Sequence, residues 1–157
     1  MRWAVGCVLV GACLSHGCGS GLHDTGFTGT WERPLAGGHS SLSIREEAAG
    51  YVVRWSKLDG AESVRCDDRG HCEEFVGETK VYEWRFQPFL KPDSDDLFLE
   101  VVGTPLEENA PGLRYVDRLT LHDGGLALSS SQISQNGIDL DVPIGPRVFQ
   151  KVADEPR

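Results

Sequence analysis

The run Cys66-Asp67-Asp68-Arg69-Gly70-His71-Cys72 offers two chemistries. Two thiols that flank turn-forming residues can oxidise to a disulfide stapling the arms of a hairpin, because Asp-Asp-Arg-Gly folds the chain back on itself. The same thiols with His71 and a distant ligand such as His39 make the alternative, a zinc site. The spacing lacks the second ligand pair of a zinc module, and an oxidising compartment favours the disulfide. A Cys66–Cys72 bond and no metal are therefore expected.

Other reactive side chains do not converge. His39, His71 and His122 stand beside Gly or Asp in turn-like stretches, where a solvated role is the default. His122-Asp123 with Ser129, Ser130 or Ser131 has the side chains of a nucleophilic set, yet no Gly-x-Ser-x-Gly elbow presents the serine. Asp93, Asp95 and Asp96 lack the spacing and the distal glutamate of a calcium loop. Glu46-Glu47, Glu73-Glu74 and Glu107-Glu108 are adjacent pairs, which on strands point to opposite faces and cannot share acid–base work. No catalytic residue and no cofactor are expected.

The first residues are of another kind. Arg2, an apolar core from Trp3 to Leu14 and a run of small residues have the layout of a secretory signal over 1–17. That core is too short to span a bilayer as a stable helix. Ser15-His16-Gly17-Cys18 resembles the lipobox of bacterial lipoprotein signals, in which the cysteine is acylated and becomes the first residue. Cys18 is the expected lipid anchor and Cys13, after Val10-Gly11-Ala12, the alternative; Ser15-x-Gly17 also suits ordinary cleavage to a secreted form. The expected location is the cell envelope, anchored to the outer membrane and facing periplasm or surface. A formal charge of −9 on 157 residues repels phosphate backbones, so no nucleic-acid partner is expected.

Beyond the leader, residues 18–27 read as a flexible tether, 28–152 as one β domain and 153–157 as a tail. Tyr51, Val53 and Trp55 share one strand face; Tyr82, Trp84 and Phe86 share another, which implies a buried surface. Pro88 and Pro92 should end that segment, and 103–112 reads as a long irregular connection. Leu113, Tyr115, Leu119 and Leu121 alternate in turn, interrupted on the apolar face by Asp117. Asp-Gly, Asn-Gly and Gly-Gly pairs punctuate the chain, Val148 to Val152 forms a terminal strand, and no apolar pattern holds helical spacing for three turns. The class is all-β, an antiparallel up-and-down meander of about eight to ten strands, closing into a barrel to hide its edges. An open β-sandwich is the alternative.

Gly29-Thr30-Trp31 at the head of this meander resembles the Gly-x-Trp signature of lipocalins and their calycin relatives. The resemblance implies a barrel whose tryptophan closes one end near a basic residue of the last strand. "PRVFQKV" offers Arg147 or Lys151, Arg147 being the better stacking partner. The chain departs from lipocalins in having no helix after the barrel and no Thr-Asp-Tyr signature. If the aromatic face turns inward, Trp55, Tyr82, Trp84 and Phe86 line a pocket for a small apolar or amphipathic ligand. A filled core would instead make the domain a structural or protein-interaction module.

Overall fold

The computed structural model describes residues 26–154, and among them there are only strands, turns and connections. The strands are β1 (Gly29–Leu35), β2 (Gly38–Glu47), β3 (Gly50–Asp59), β4 (Glu62–Cys66) and β5 (His71–Val76). The second half supplies β6 (Thr79–Leu90), β7 (Leu97–Pro105), β8 (Leu113–His122), β9 (Gly125–Gln135) and β10 (Ile138–Ala153). Each pairs antiparallel with its neighbour in sequence, and β1 pairs with β10, so the sheet closes into a barrel. The open sandwich is thereby excluded.

Tight turns make the meander possible. Asp123 and Gly124 have φ of 47° and 78°, and Asn136 and Gly137 have 52° and 75°. Positive φ at both central residues is what a two-residue hairpin needs to match strand twist, and Asp-Gly and Asn-Gly tolerate it. Alternation then sorts the side chains. In cross-strand register Trp31 lies opposite Leu42, Leu42 opposite Trp55, Val101 opposite Tyr115, and Leu119 opposite Leu128, so one apolar set faces the interior.

One end of the barrel is filled. Phe27, Trp31, Ile44, Leu97, Leu119 and Leu126 are all buried there, none more than 2% exposed. The chain enters β1 at this end, and the Trp31 indole Nε1–H donates to the Phe27 carbonyl at 2.8 Å, holding the incoming segment across the barrel floor. Phe27 is thus core, although the sequence placed it at the end of a tether. Cys13 and Cys18, with the leader and most of that tether, lie outside the described residues.

Three boundaries differ from expectation for local reasons. β6 runs through Pro88, which pairs with Leu99 of β7; on its other side β5 reaches only to the His71–Arg85 pair, so the missing N–H costs no bond there. β7 extends to Pro105 and β8 begins at Leu113, which shortens the connection between them. β10 begins at Ile138 rather than Val148, carrying register shifts between Asp139 and Val142 and between Ile144 and Arg147 that let so long a strand follow the wall.

Truncating Phe27 to Ala should lower unfolding free energy by about 3–5 kcal/mol, the cost of emptying a fully buried phenylalanine site. Urea unfolding followed by tryptophan fluorescence measures it. A loss under about 1 kcal/mol would mean that the segment before β1 contributes no packing.

Candidate functional site

Above the filled floor the lumen holds a cavity of about 380 Å³. That is the size range of small-ligand sites. Trp55, Trp84 and Phe86 form one wall, as the aromatic pattern implied, with Leu42, Leu99 and Leu128 around them. Tyr82 does not line the cavity. Its ring stacks on Trp84 at 5.3 Å, and its hydroxyl donates to the Pro111 carbonyl at 3.1 Å.

The wall is held by its polar edges. Trp55 Nε1–H donates to Ser40 Oγ at 2.9 Å, and Trp84 Nε1–H donates to Glu74 Oε2 at 2.8 Å. Trp55 meets Trp84 and Phe86 edge to face, with centroids 6.4 and 6.2 Å apart. Such contacts favour one packing over its neighbours, so the apolar faces stay turned to the lumen. Gly103 lies directly across from Trp84 in the β6–β7 pair, and a Cβ there would run into the indole ring.

Opposite the aromatics stands a polar group that sequence reasoning only partly found. Asp117 interrupts the apolar face of β8 and is 8% exposed. Its register partner on β9 is Ser130, buried and hydrogen-bonded to its carboxylate. Arg147 Nη2 donates to the same Ser130 Oγ at 2.5 Å. A serine hydroxyl can give one hydrogen bond and accept others, so Ser130 links carboxylate to guanidinium. Burial pushes the Asp117 carboxyl up from its ordinary value, with Ser130 and the Arg147 charge pulling the other way. Burial pulls Arg147 down, opposed by Asp117 and reinforced by the nearby charge of Arg33.

Arg147 is therefore a lumen residue, and the cation over Trp31 is Lys151. Its Nζ stands 5.4 Å from the indole centroid, and Lys151 is the direct register partner of Trp31 across the β1–β10 pair. Arg33, Lys57 and Asp59 line the cavity toward its mouth. Lys57 pairs with Glu62, and Asp59 accepts from the Gly37 N–H at 3.0 Å.

Of the reactive residues considered from sequence, Ser130 lines this cavity, bonded to Asp117 and Arg147; the cysteines, the histidines and the Asp93–Asp96 group do not line it. Cys66 and Cys72 are opposite each other in the β4–β5 register with their Sγ atoms at disulfide distance. His71 is exposed and its Nε2 accepts from Arg85 Nε at 3.0 Å. Asp96 is engaged by Arg118 and Ser94. Among the described residues no cluster of His, Cys, Asp and Glu could hold a metal ion. No protein-family model, curated protein or solved structure matches the chain.

Gly103→Ala should force Trp84 out of its seat, lower stability by about 1–3 kcal/mol and weaken the near-UV circular dichroism of the Tyr82–Trp84 stack. An unchanged spectrum with unchanged stability would show that the wall is not rigid at this point.

Proposed function

We propose that this protein is an exported, lipid-anchored binding module of the cell envelope that holds one small apolar or amphipathic molecule in its barrel lumen, without catalysing a reaction on it. The observation that carries the reading is the cavity: a barrel with a closed floor, an aromatic wall fixed by its own hydrogen bonds, and space above. Fixed, concave, largely apolar walls with a few polar groups suit capture of a small molecule. They fit a filled-core structural module less well. Ser130, the serine nearest a carboxylate in the lumen, is bonded to Asp117 and Arg147 and to no histidine, which favours binding over nucleophilic chemistry.

The anchor is read from Cys18. Since Gly26 and Phe27 lead into β1 at the plugged end, an acyl chain there would hold that end toward the membrane and leave the mouth facing away. The Cys66–Cys72 pair agrees with an oxidising compartment.

N-phenyl-1-naphthylamine, an uncharged apolar fluorophore, should brighten and shift blue with the purified domain and quench the lumen tryptophans. No spectral change at micromolar protein would sink the open-lumen reading. Labelled palmitate should enter the full-length chain in cells and be lost with Cys18→Ser; label retained in that variant would move the anchor to Cys13.

A further inference from the structure

The lumen carries two guanidiniums, and among the described residues neither makes a direct ion pair; Asp117 offsets the charge of Arg147 only across Ser130. β1 pairs with β10 only over Thr30, Trp31 and Glu32, and pairing stops before Pro34, which has no N–H to offer. Above that point Arg33 from β1 and Arg147 from β10 line the same cavity, close enough that the Arg33 charge weighs on Arg147. Among the described side chains no carboxylate stands within ion-pair distance of either guanidinium. Arg147 spends Nη2 on Ser130, but its Nε–H is buried and has no acceptor. Buried donors are almost always satisfied, and two facing cations repel in a medium of low dielectric. A single bound oxyanion relieves both costs, and the guanidinium fork is shaped to receive one.

We propose that the lumen is selective for an amphipath with one oxyanion head, a carboxylate or its like, seated between Arg33 and Arg147 with its apolar body on the Trp55–Phe86 wall, and that binding it loads a proton onto Asp117. This rests on the lumen-binding reading above and names the class of molecule bound.

The proton follows from placement. Asp117 faces Arg147 through Ser130, with Tyr115 on its own strand, Leu99 beside it on β7, Arg33 on β1, and Lys57 and Asp59 nearer the mouth. Lys57 is held by Glu62, Asp59 by the Gly37 N–H, and burial keeps the Tyr115 phenol neutral by raising it. The groups left to respond to an incoming anion are the two arginines, which attract it, and Asp117, which repels it when ionised. Burial already favours the neutral carboxyl in the empty lumen, and an anion alongside favours it further. The complex therefore keeps its proton to higher pH than the free protein. Affinity for a permanently ionised head is greatest where Asp117 is protonated without ligand. It falls as pH rises through that group's raised value, by at most about tenfold per pH unit, and levels off once the complex also loses its proton.

Two fluorophores with the same body separate the cases: 8-anilinonaphthalene-1-sulfonate, ionised throughout, and uncharged N-phenyl-1-naphthylamine. Across a pH titration the sulfonate should bind at least about tenfold tighter than the neutral probe at the acid end, and lose most of that advantage as pH rises through the raised Asp117 value, while neutral-probe affinity stays level. Asp117→Asn should abolish the slope and hold the sulfonate tight across the titration. Arg147→Gln should erase the sulfonate's advantage and leave the neutral probe within about twofold. Arg33→Gln, at the half-exposed partner, gives the same comparison if Arg147→Gln does not fold. A neutral probe that binds with no sulfonate advantage at the acid end of the titration, or a slope that survives Asp117→Asn, overturns the proposal. Failure of the neutral probe itself overturns the lumen-binding reading instead.

Discussion

Closure of β1 against β10 is the constraint on which the rest of the structure depends. A meander left open would present two unpaired edges and give its apolar face to water. Closing it fixes the parity of every strand at once, because a one-residue slip at the seam would turn Trp31, Leu42 and Trp55 outward together. The seam is nevertheless short. It is made at Thr30, Trp31 and Glu32 and anchored by the burial of Trp31 and Phe27 beneath it. Above Glu32 the wall has no such pairing, and β10 absorbs the difference with an extra residue between Ile144 and Arg147. The cavity occupies that upper half.

The vertical division of the interior follows. Low in the barrel the residues are aliphatic or aromatic and nearly fully buried, which is how a close-packed floor is made. Higher up, Ser40, Asp117, Ser130 and Arg147 enter the same inward face. Polar groups in a protein interior cost free energy unless satisfied, and packing alone does not call for them. Stability resides in the floor; the upper lumen gives some of it up for polar contacts.

Much of this was legible in the sequence because strand parity is simple. Alternation at Tyr51 to Trp55 and Tyr82 to Phe86 placed the inward face correctly, Asn136-Gly137 marked its hairpin, and Gly29-Trp31 marked the start of β1. Asp117 was visible as an interruption, but its meaning needed Ser130 and Arg147, which come from β9 and β10 and meet it only through register. Arg147 and Lys151 share parity, so alternation could not choose between them. Their separation along the strand, about 13 Å at roughly 3.3 Å per residue, puts one in the lumen and the other beside Trp31. Phe27 was obscured by the small and polar residues that precede it. Arg33 and Lys57 were unreadable as site residues, since outward cations are ordinary on strands and only closure turns these two inward.

The two ends of the barrel also differ at their surfaces. At the plugged end the turns carry Asp67-Asp68-Arg69, Lys91 to Asp95, and His122-Asp123, all strongly polar. At the mouth the hairpins and the stretch of β10 that does not pair with β1 expose Leu58, Val76, Leu106, Ile138, Val142 and Ile144, each at least 40% accessible, and Leu90, Val148 and Val152 are exposed to a similar degree nearer the plugged end. Exposed aliphatics occur toward both ends and need no explanation singly, but those at the mouth border the opening of the lumen, among acidic residues such as Glu62, Glu78 and Glu107. An apolar rim lowers the cost of moving a hydrocarbon body from water to the Trp55–Phe86 wall, because the body stays in apolar contact along the way. On the proposed reading the acidic residues would discourage anions that lack such a body, while the arginines, which lie below the rim, would meet a head group whose tail had engaged it. On the proposed binding reading, an amphipath would use both rim and arginines, whereas a bare anion or a bare hydrocarbon would use only one.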